Sequence, residues 1–232
     1  VSWGQNDKGQ LGNGSTTNSV APVYVLTSGS ARLENIIKVE AGDANGYALG
    51  SNGLVYSWGA DKGDFGGEGM LGRNTANNTI ALPVLKEDGT QLTGIVDISA
   101  GDVHCLAIDN TGQVWGWGNN GWGGQVGTGE GGNVMFAKKV AGVGGKGFLK
   151  ATKITAGRAH SIAVLADGTA VGWGLNDSKQ YGAGTATRIP SVISGVSNIV
   201  DVSDGDLWTF FVNKSNVVYV VGENDAGELG IS

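Results

Sequence analysis

The sequence predicts an all-β chain made of repeated four-stranded antiparallel units, and three observations carry the prediction. First, the run from Trp3 to Gly14, W-G-Q-N-D-K-G-Q-L-G-N-G, returns in variant form from Trp58, Trp117, Trp173 and Val221. Self-similarity at about 50 residues marks an array of supersecondary units. Second, Ala41-Gly42, Ala100-Gly101, Ala156-Gly157 and Asp204-Gly205 each begin 17 residues before the matching Trp or Val. One half of the unit is therefore of fixed length, and the length variation falls in the other half, as loop. Third, the fixed half alternates apolar and polar residues at the period of a strand with one buried face, and no long 3.6-residue apolar stripe occurs anywhere.

The strands follow in order. Ile36–Ala41, Ile95–Ala100 and Ile199–Ser203 are alternating strands, each followed shortly by Gly. Tyr47–Leu49, Cys105–Ile108, Ile162–Leu165 and Phe210–Val212 are shorter and more continuously apolar, as central strands are. They end in S-N-G53, N-T-G112, A-D-G168 and N-K-S-N216, hairpin turns whose last residue must accept a positive φ; Asn216 in the Gly slot fits, because Asn tolerates that region after Gly. The third strands run Leu54–Trp58, Val114–Trp117, Thr169–Trp173 and Val217–Val221, and a fourth, weaker strand starts at Pro22, Pro83 and Pro190. Such units, repeated radially, are the blades of a β-propeller, whose edges stay short and protected. A β-solenoid is the alternative, but its coils are shorter and lack regular hairpins.

The motif W-G-x-N-x-x-G-x-L-G-x-G at Trp3 to Gly14, nearly repeated from Trp173 to Gly184, joined to A-G-x-x-H at Ala100–His104 and Ala156–His160, resembles the regulator of chromosome condensation repeat family. The resemblance covers the whole chain. It implies a propeller of about seven blades and a broad loop surface that grips proteins. The G-W-R-H-T segments of the family's plant ultraviolet-light receptor are absent. On this reading residues 1–232 form a single repeat domain, with repeats at about 1–56, 57–115, 116–171 and 172–219 and a partial repeat at 220–232. Four full repeats are expected to form an arc of a larger ring. The competing expectation is a small ring in which Pro22 to Leu26 supplies the missing strand of the last blade.

Composition narrows the function. Forty per cent apolar residues suffice for a core, while 43 Gly and 16% charged residues suit loop-rich β structure. A net charge of −6 gives no electrostatic encouragement for nucleic acid, and no apolar run reaches the length of a transmembrane helix. One cysteine, Cys105, excludes an internal disulfide and a Cys-rich metal site. No cofactor or metal is expected. The G-x-G-x-x-G matches open no helix, and the two histidines with one cysteine cannot build the usual zinc sites.

Repeat comparison also weighs each chemical candidate. His104 and His160 share a slot with Asn45 and Trp208, so a strand-start side chain bonding to a neighbouring loop is expected rather than a catalytic base. Cys105 shares its slot with Gly46, Ser161 and Thr209 and reads as an inert buried thiol. Asp61, Asp64 and Glu68 in one loop, and Glu223, Asp225 and Glu228 in another, could offer oxygen ligands to calcium, but neither has the EF-hand spacing. Trp3, Trp58, Trp117 and Trp173 read as core between blades, and Trp115 could join them. Trp122, Phe65, Met135 and Phe136 fall on interruptions of the repeat and are the candidate partner-binding residues, since loops on a rigid scaffold carry function and aromatics dominate interface energy.

The expectation is a non-enzymatic interaction scaffold presenting Asp61–Leu71, Gly121–Gly129 and Glu130–Lys150 to a protein or glycan. The composition looks like that of a bacterial secreted or surface protein, extracellular in location. Two alternatives stand: a structural subunit that assembles with further copies, and a propeller lyase or glycosidase using loop carboxylates from different blades.

Overall fold

A computed structural model describes residues 1–62, 68–74 and 77–230. The described residues form five antiparallel sheets. The first holds β1 (Ser2–Gly4) and β2 (Ser19–Val23), and the second holds β3 (Ile36–Ala41), β4 (Asn45–Gly50), β5 (Val55–Gly59) and β6 (Leu82–Pro83). The third is β7 (Ile95–Ala100), β8 (His104–Asp109), β9 (Val114–Gly118) and β10 (Val134–Lys139). The fourth is β11 (Lys153–Ala156), β12 (His160–Val164), β13 (Ala170–Gly174) and β14 (Thr187–Val192), and the fifth is β15 (Ile199–Asp204), β16 (Trp208–Asn213) and β17 (Val218–Gly222). Within each sheet, spatial order follows chain order, so neighbours in the chain are neighbours in the sheet, joined by short hairpins between the first three strands and by a longer loop before the fourth. β2 pairs with β1 and not with β17, so the small-ring closure does not form.

The first strands of successive sheets pack on one another, β3 on β7, β7 on β11 and β11 on β15, so the sheets converge at that edge, as propeller blades do. The core is divided accordingly. Tyr47, Leu49 and Val55 of the second sheet meet Ile98, Cys105 and Trp117 of the third in one buried layer. Leu106, Ile108 and Val114 meet Ala163, Val171 and Trp173 in the next, and Ile162 and Val164 meet Ile199 and Phe211 in the last. Trp58, Trp117 and Trp173 are 6%, 0% and 0% exposed, whereas Trp3, on β1 of the first sheet, is 63% exposed.

At the convergent edge, one register position carries Lys38, Asp97, Lys153 and Asp201 in succession. Lys38 Nζ lies 2.8 Å from Asp97 Oδ1 and also donates to Ile98 O, and Lys153 Nζ lies 3.8 Å from Asp201 Oδ1. The glycine of Ala-Gly closes the same edge. A Cβ on Gly101 would collide with the carbonyl oxygen of Gly157 in the next blade, so the slot is glycine for close approach of backbones, with no positive φ involved. At the hairpin tips the expected left-handed residues are present, including Asn216 at φ 59°.

Two expectations need correction. Met135 and Phe136 do not lie on a loop; they lie on β10, the fourth strand of the third sheet. The Gly-rich flanks and the absence of an initial Pro hid this strand, and a register shift between Val134 and Lys138 breaks its alternation. The fourth sheet's first strand, β11, had no counterpart in the sequence reading either, because Lys153–Ala156 is only four residues long.

Candidate functional site

The loops between third and fourth strands are built alike. Their motif Asn accepts a hydrogen bond from the backbone N–H near the loop's end: Asn6 from Leu11 at 2.9 Å, Asn120 from Val126 at 2.9 Å, Asn176 from Tyr181 at 3.1 Å and Asn224 from Leu229 at 2.9 Å. Its side-chain N–H groups then tie the following carbonyls, as Asn176 does with those of Gly182 and Gly184. In the second unit Asp61 takes this place and accepts from Leu71 at 3.0 Å across a longer loop. Burial raises the Asp61 pKa, opposed by hydrogen bonds from the Leu71 and Gly69 backbone and by the Arg73 guanidinium. Arg73 is itself buried, bonded to Ser57 Oγ, Ser57 O and Asn77 O, and desolvation lowers its pKa to about 10.

Each loop is then latched to the next blade through one backbone carbonyl. Trp58 Nε1 donates to Gln10 O at 2.9 Å, Trp117 Nε1 to Met70 O at 3.2 Å and Trp173 Nε1 to Gln125 O at 2.9 Å. A hydroxyl cross-strand from the Trp adds a second donor, and one cross-strand from Val221 supplies the side-chain donor where the Trp is missing. Ser161, opposite Trp173, donates to Gln125 O at 2.8 Å, and Thr209, opposite Val221, donates to Gln180 O at 2.7 Å. Cys105, opposite Trp117, donates instead to its neighbour Leu106 O, and the Tyr47 hydroxyl takes the second place on Met70 O at 2.5 Å. Gly127 lies under the Trp173 ring at φ 82°, where a side chain would strike the indole.

The histidines belong to this latch. His104 Nε2 lies 2.7 Å from Ser161 Oγ, whose proton is committed to Gln125 O, so His104 is the donor and carries its proton on Nε2. Desolvation, and then His160, lower its pKa to about 3. His160 Nε2 lies 3.2 Å from Thr209 Oγ1 and 3.6 Å from Asp204 Oδ2, with both side chains of that ion-pair geometry buried. The histidines thus reach the hydroxyl on the second strand of the next blade, which carries the bond on to the loop. Cys105 is fully buried and its thiol is pushed well up by burial.

Above the convergent edge, the residue after Ala-Gly or Asp-Gly is Asp43, Asp102, Arg158 or Asp206. Burial raises the Asp102 pKa, and Asp206 and Asp43 raise it further while Arg158 opposes them. Arg158 Nη1 lies 3.7 Å from Asp206 Oδ1, and its guanidinium sits 6.0 Å from the Trp122 ring centroid. Trp122 is half-buried, and the neighbouring Gly123 and Gly124 pack on the fourth sheet near Leu175 and Arg188.

The structure separates the four candidate residues. Trp122 faces the fourth sheet, whereas Met135 lies against Gly69 of the second unit's loop, on the other side of the third blade. Phe136 is half-buried beside it on β10, and Phe65, like Asp64, lies outside the described residues. Among the acidic candidates, Glu68 pairs with Lys62 at 3.1 Å and Glu228 accepts from Ala226 N; among the described residues no group of three His, Cys, Asp or Glu side chains has metal-binding geometry. Sequence reading missed the Asp43–Asp102–Arg158–Asp206 set, although its fixed offset from Ala-Gly is a legible signal.

Comparison with known proteins agrees with this architecture. Two sequence profiles, both described as regulator of chromosome condensation (RCC1) repeat, match residues 2–49 and 52–108, and 95–123 and 151–180. The chain is 31% identical over 235 residues to the ultraviolet-B receptor UVR8 of Arabidopsis thaliana, covering 99% of this chain and 50% of that protein. It is 34% identical over 198 residues to the human E3 ubiquitin-protein ligase HERC2, covering 84% of this chain and 4% of HERC2. It thus spans half or less of these relatives. Among solved structures, yeast RCC1 (Prp20), determined bound to Kap60, superposes with a TM-score of 0.75 at 20% identity, covering 95% of this chain and 50% of that one. Human WBSCR16 superposes with a TM-score of 0.74 at 24% identity, covering 95% and 55%. The repeat profiles together span more than half of the chain and the superpositions share its fold, so the chain belongs to the regulator of chromosome condensation (RCC1) repeat family of β-propellers.

Proposed function

We propose that the chain is a non-enzymatic scaffold that binds a protein partner through its loop face, centred on Trp122 and Arg158. The observation that carries the reading is Trp122 itself: an aromatic with no counterpart in the other repeats, half-exposed on a loop latched to the next blade and stacked near a guanidinium. A rigid aromatic beside a charge loses little entropy on binding and offers large contact area. Phe65, Met135 and Phe136 form a second, peripheral contact in this reading, with a glycan as the other ligand class. The Gly-rich, Lys-poor composition supports an extracellular bacterial setting. Exposure of Trp3, buried at its equivalents, supports an arc whose first face is covered by another blade of a larger ring or by a further copy.

The test is affinity capture from an extract of the source organism with wild type, Trp122→Ala and Met135→Ala/Phe136→Ala, each checked for an unchanged melting temperature. A protein retained by wild type and lost from Trp122→Ala supports the reading. Retention that ignores all three side chains refutes it. A hydrolytic reading draws on Asp102, whose raised pKa suits a general acid. It requires loss of glycoside cleavage in Asp102→Asn.

A further inference from the structure

Basic residues are not spread evenly over this acidic chain. From Gly131 to Ala166 there is no Asp or Glu, and Lys138, Lys139, Lys146, Lys150, Lys153 and Arg158 all fall within the stretch. It builds β10, the connection after it, β11 and the whole of β12. Pairing brings part of this charge to the outer edge of the third sheet. Lys139 stands in register with Trp115, and Lys150 bridges to Gln113, two residues earlier on the same segment. Lys139 Nζ lies 5.5 Å from the Trp115 ring centroid and 5.1 Å from that of Phe148, which is 60% exposed. The Trp115 ring is held by its Nε1 bond to Asp109 Oδ2 at 2.9 Å. Lys139, Trp115 and Phe148 border a cleft of about 720 Å³ together with Lys86, Glu87, Asp88, Glu130 and Lys138.

Ion pairing divides the lysines. Lys138 is shared between Glu87 at 3.4 Å and Glu130 at 3.5 Å. Among the described residues, Lys139, Lys146 and Lys150 have no carboxylate within ion-pair distance. Lys139 lies against both aromatic rings, and Lys146 and Lys150 flank Phe148 two residues away on either side in the chain; all three lysines are exposed.

We infer that this outer edge of the third blade binds an acidic, extended protein segment, its carboxylates meeting Lys139, Lys146 and Lys150 and an apolar side chain lying on Phe148 and Trp115. Charge complementarity selects the occupant. A polynucleotide carries a phosphate at every step and would bring like charge against Glu87, Asp88 and Glu130, which border the same cleft. A peptide can confine its carboxylates to Lys139, Lys146 and Lys150 and leave an uncharged residue against the acidic part of the cleft. The surface differs from the loop face, and the inference stands independently of the function proposed for that face.

The test is fluorescence anisotropy with a labelled peptide of Glu and Asp residues around one Leu, at low and high salt, compared with its Lys-for-acid counterpart and with single-stranded DNA. Wild type is expected to bind the acidic peptide, less tightly at high salt, and to bind neither comparison ligand as well. Lys139→Glu/Lys150→Glu should lower the affinity about tenfold or more, and Phe148→Ala several-fold, while Lys214→Glu on the fifth sheet's hairpin leaves it unchanged. If the double reversal does not fold, Lys139→Gln and Lys146→Gln carry the same comparison. No binding of the acidic peptide, equal binding by the lysine variants, or tighter binding of DNA overturns the inference.

Discussion

The indole Nε1 of Trp173 donates to the backbone carbonyl of Gln125 at 2.9 Å, joining a third-strand residue of one blade to the loop of the blade before it. Ser161, cross-strand from Trp173, fills the carbonyl's second lone pair at 2.8 Å. The recurrent Trp is therefore both core and fastener. Trp173→Phe is expected to cost about 1 kcal/mol, because Ser161 remains as a donor to Gln125 O; Ser161→Ala costs about 2 kcal/mol, because it also leaves the buried His104 Nε2–H without its acceptor; and the double variant, which strands the carbonyl as well, costs about 1 kcal/mol more than the sum of the two. Urea unfolding of the four species checks the cycle; strict additivity would separate the two donors from a shared acceptor.

His104 gives a pH prediction. Its folded pKa is near 3 against 6.5 for an ordinary histidine, so between those values the unfolded chain takes up the proton and the folded chain does not. Stability must then fall as pH drops through about 6.5 towards 3, by up to about 1.4 kcal/mol per pH unit from this group alone. His104→Asn, with the residue found at the equivalent Asn45, removes that share. The difference between wild type and variant, measured by unfolding at pH 7 and pH 4.5, should shift in the variant's favour at the lower pH.

Asp61 predicts the reverse dependence. Burial raises its folded pKa, so ionisation penalises the folded state as pH rises past the unfolded value towards the folded one. Asn occupies this slot in four other loops and accepts the same backbone bond. Asp61→Asn should raise the melting temperature at pH 7 and change it little near pH 3. A lower melting temperature at pH 7 would mean that attraction to Arg73 outweighs desolvation.

Gly101 separates two reasons for glycine. Gly101→Ala puts a methyl group against the Gly157 carbonyl and should cost more than about 2 kcal/mol or shift the neighbouring blades. Gly89, at φ 79° with open space around it, should cost only about 1 kcal/mol as Ala, for its dihedral alone. Paired thermal melts rank them.

Much of the scaffold was readable. Ile36–Ala41 and Ile95–Ala100 coincide with β3 and β7, because alternation states directly which face is buried. β10 was not readable: Val134 and Ala137 are buried and Met135 and Phe136 half-buried around a register shift, so no period of two survives. The latch was only half visible. Its donors repeat as Trp and as Ser or Thr, but its acceptors are backbone carbonyls of Gln10, Met70, Gln125 and Gln180, and a carbonyl leaves no mark on residue identity. The Asp43, Asp102, Arg158 and Asp206 set escaped for another reason: the shared slot is visible, but convergence of that edge is a tertiary fact.

The most direct test of the loop-face reading is photo-cross-linking from position 122, with a benzophenone amino acid in place of Trp122 and, as comparison, in place of Val217 on the fifth sheet's hairpin. The account predicts cross-links from position 122 to one protein partner, reduced by Arg158→Glu, with position 217 giving none to that partner. Equal labelling from both positions, or no protein cross-link from position 122, would contradict it.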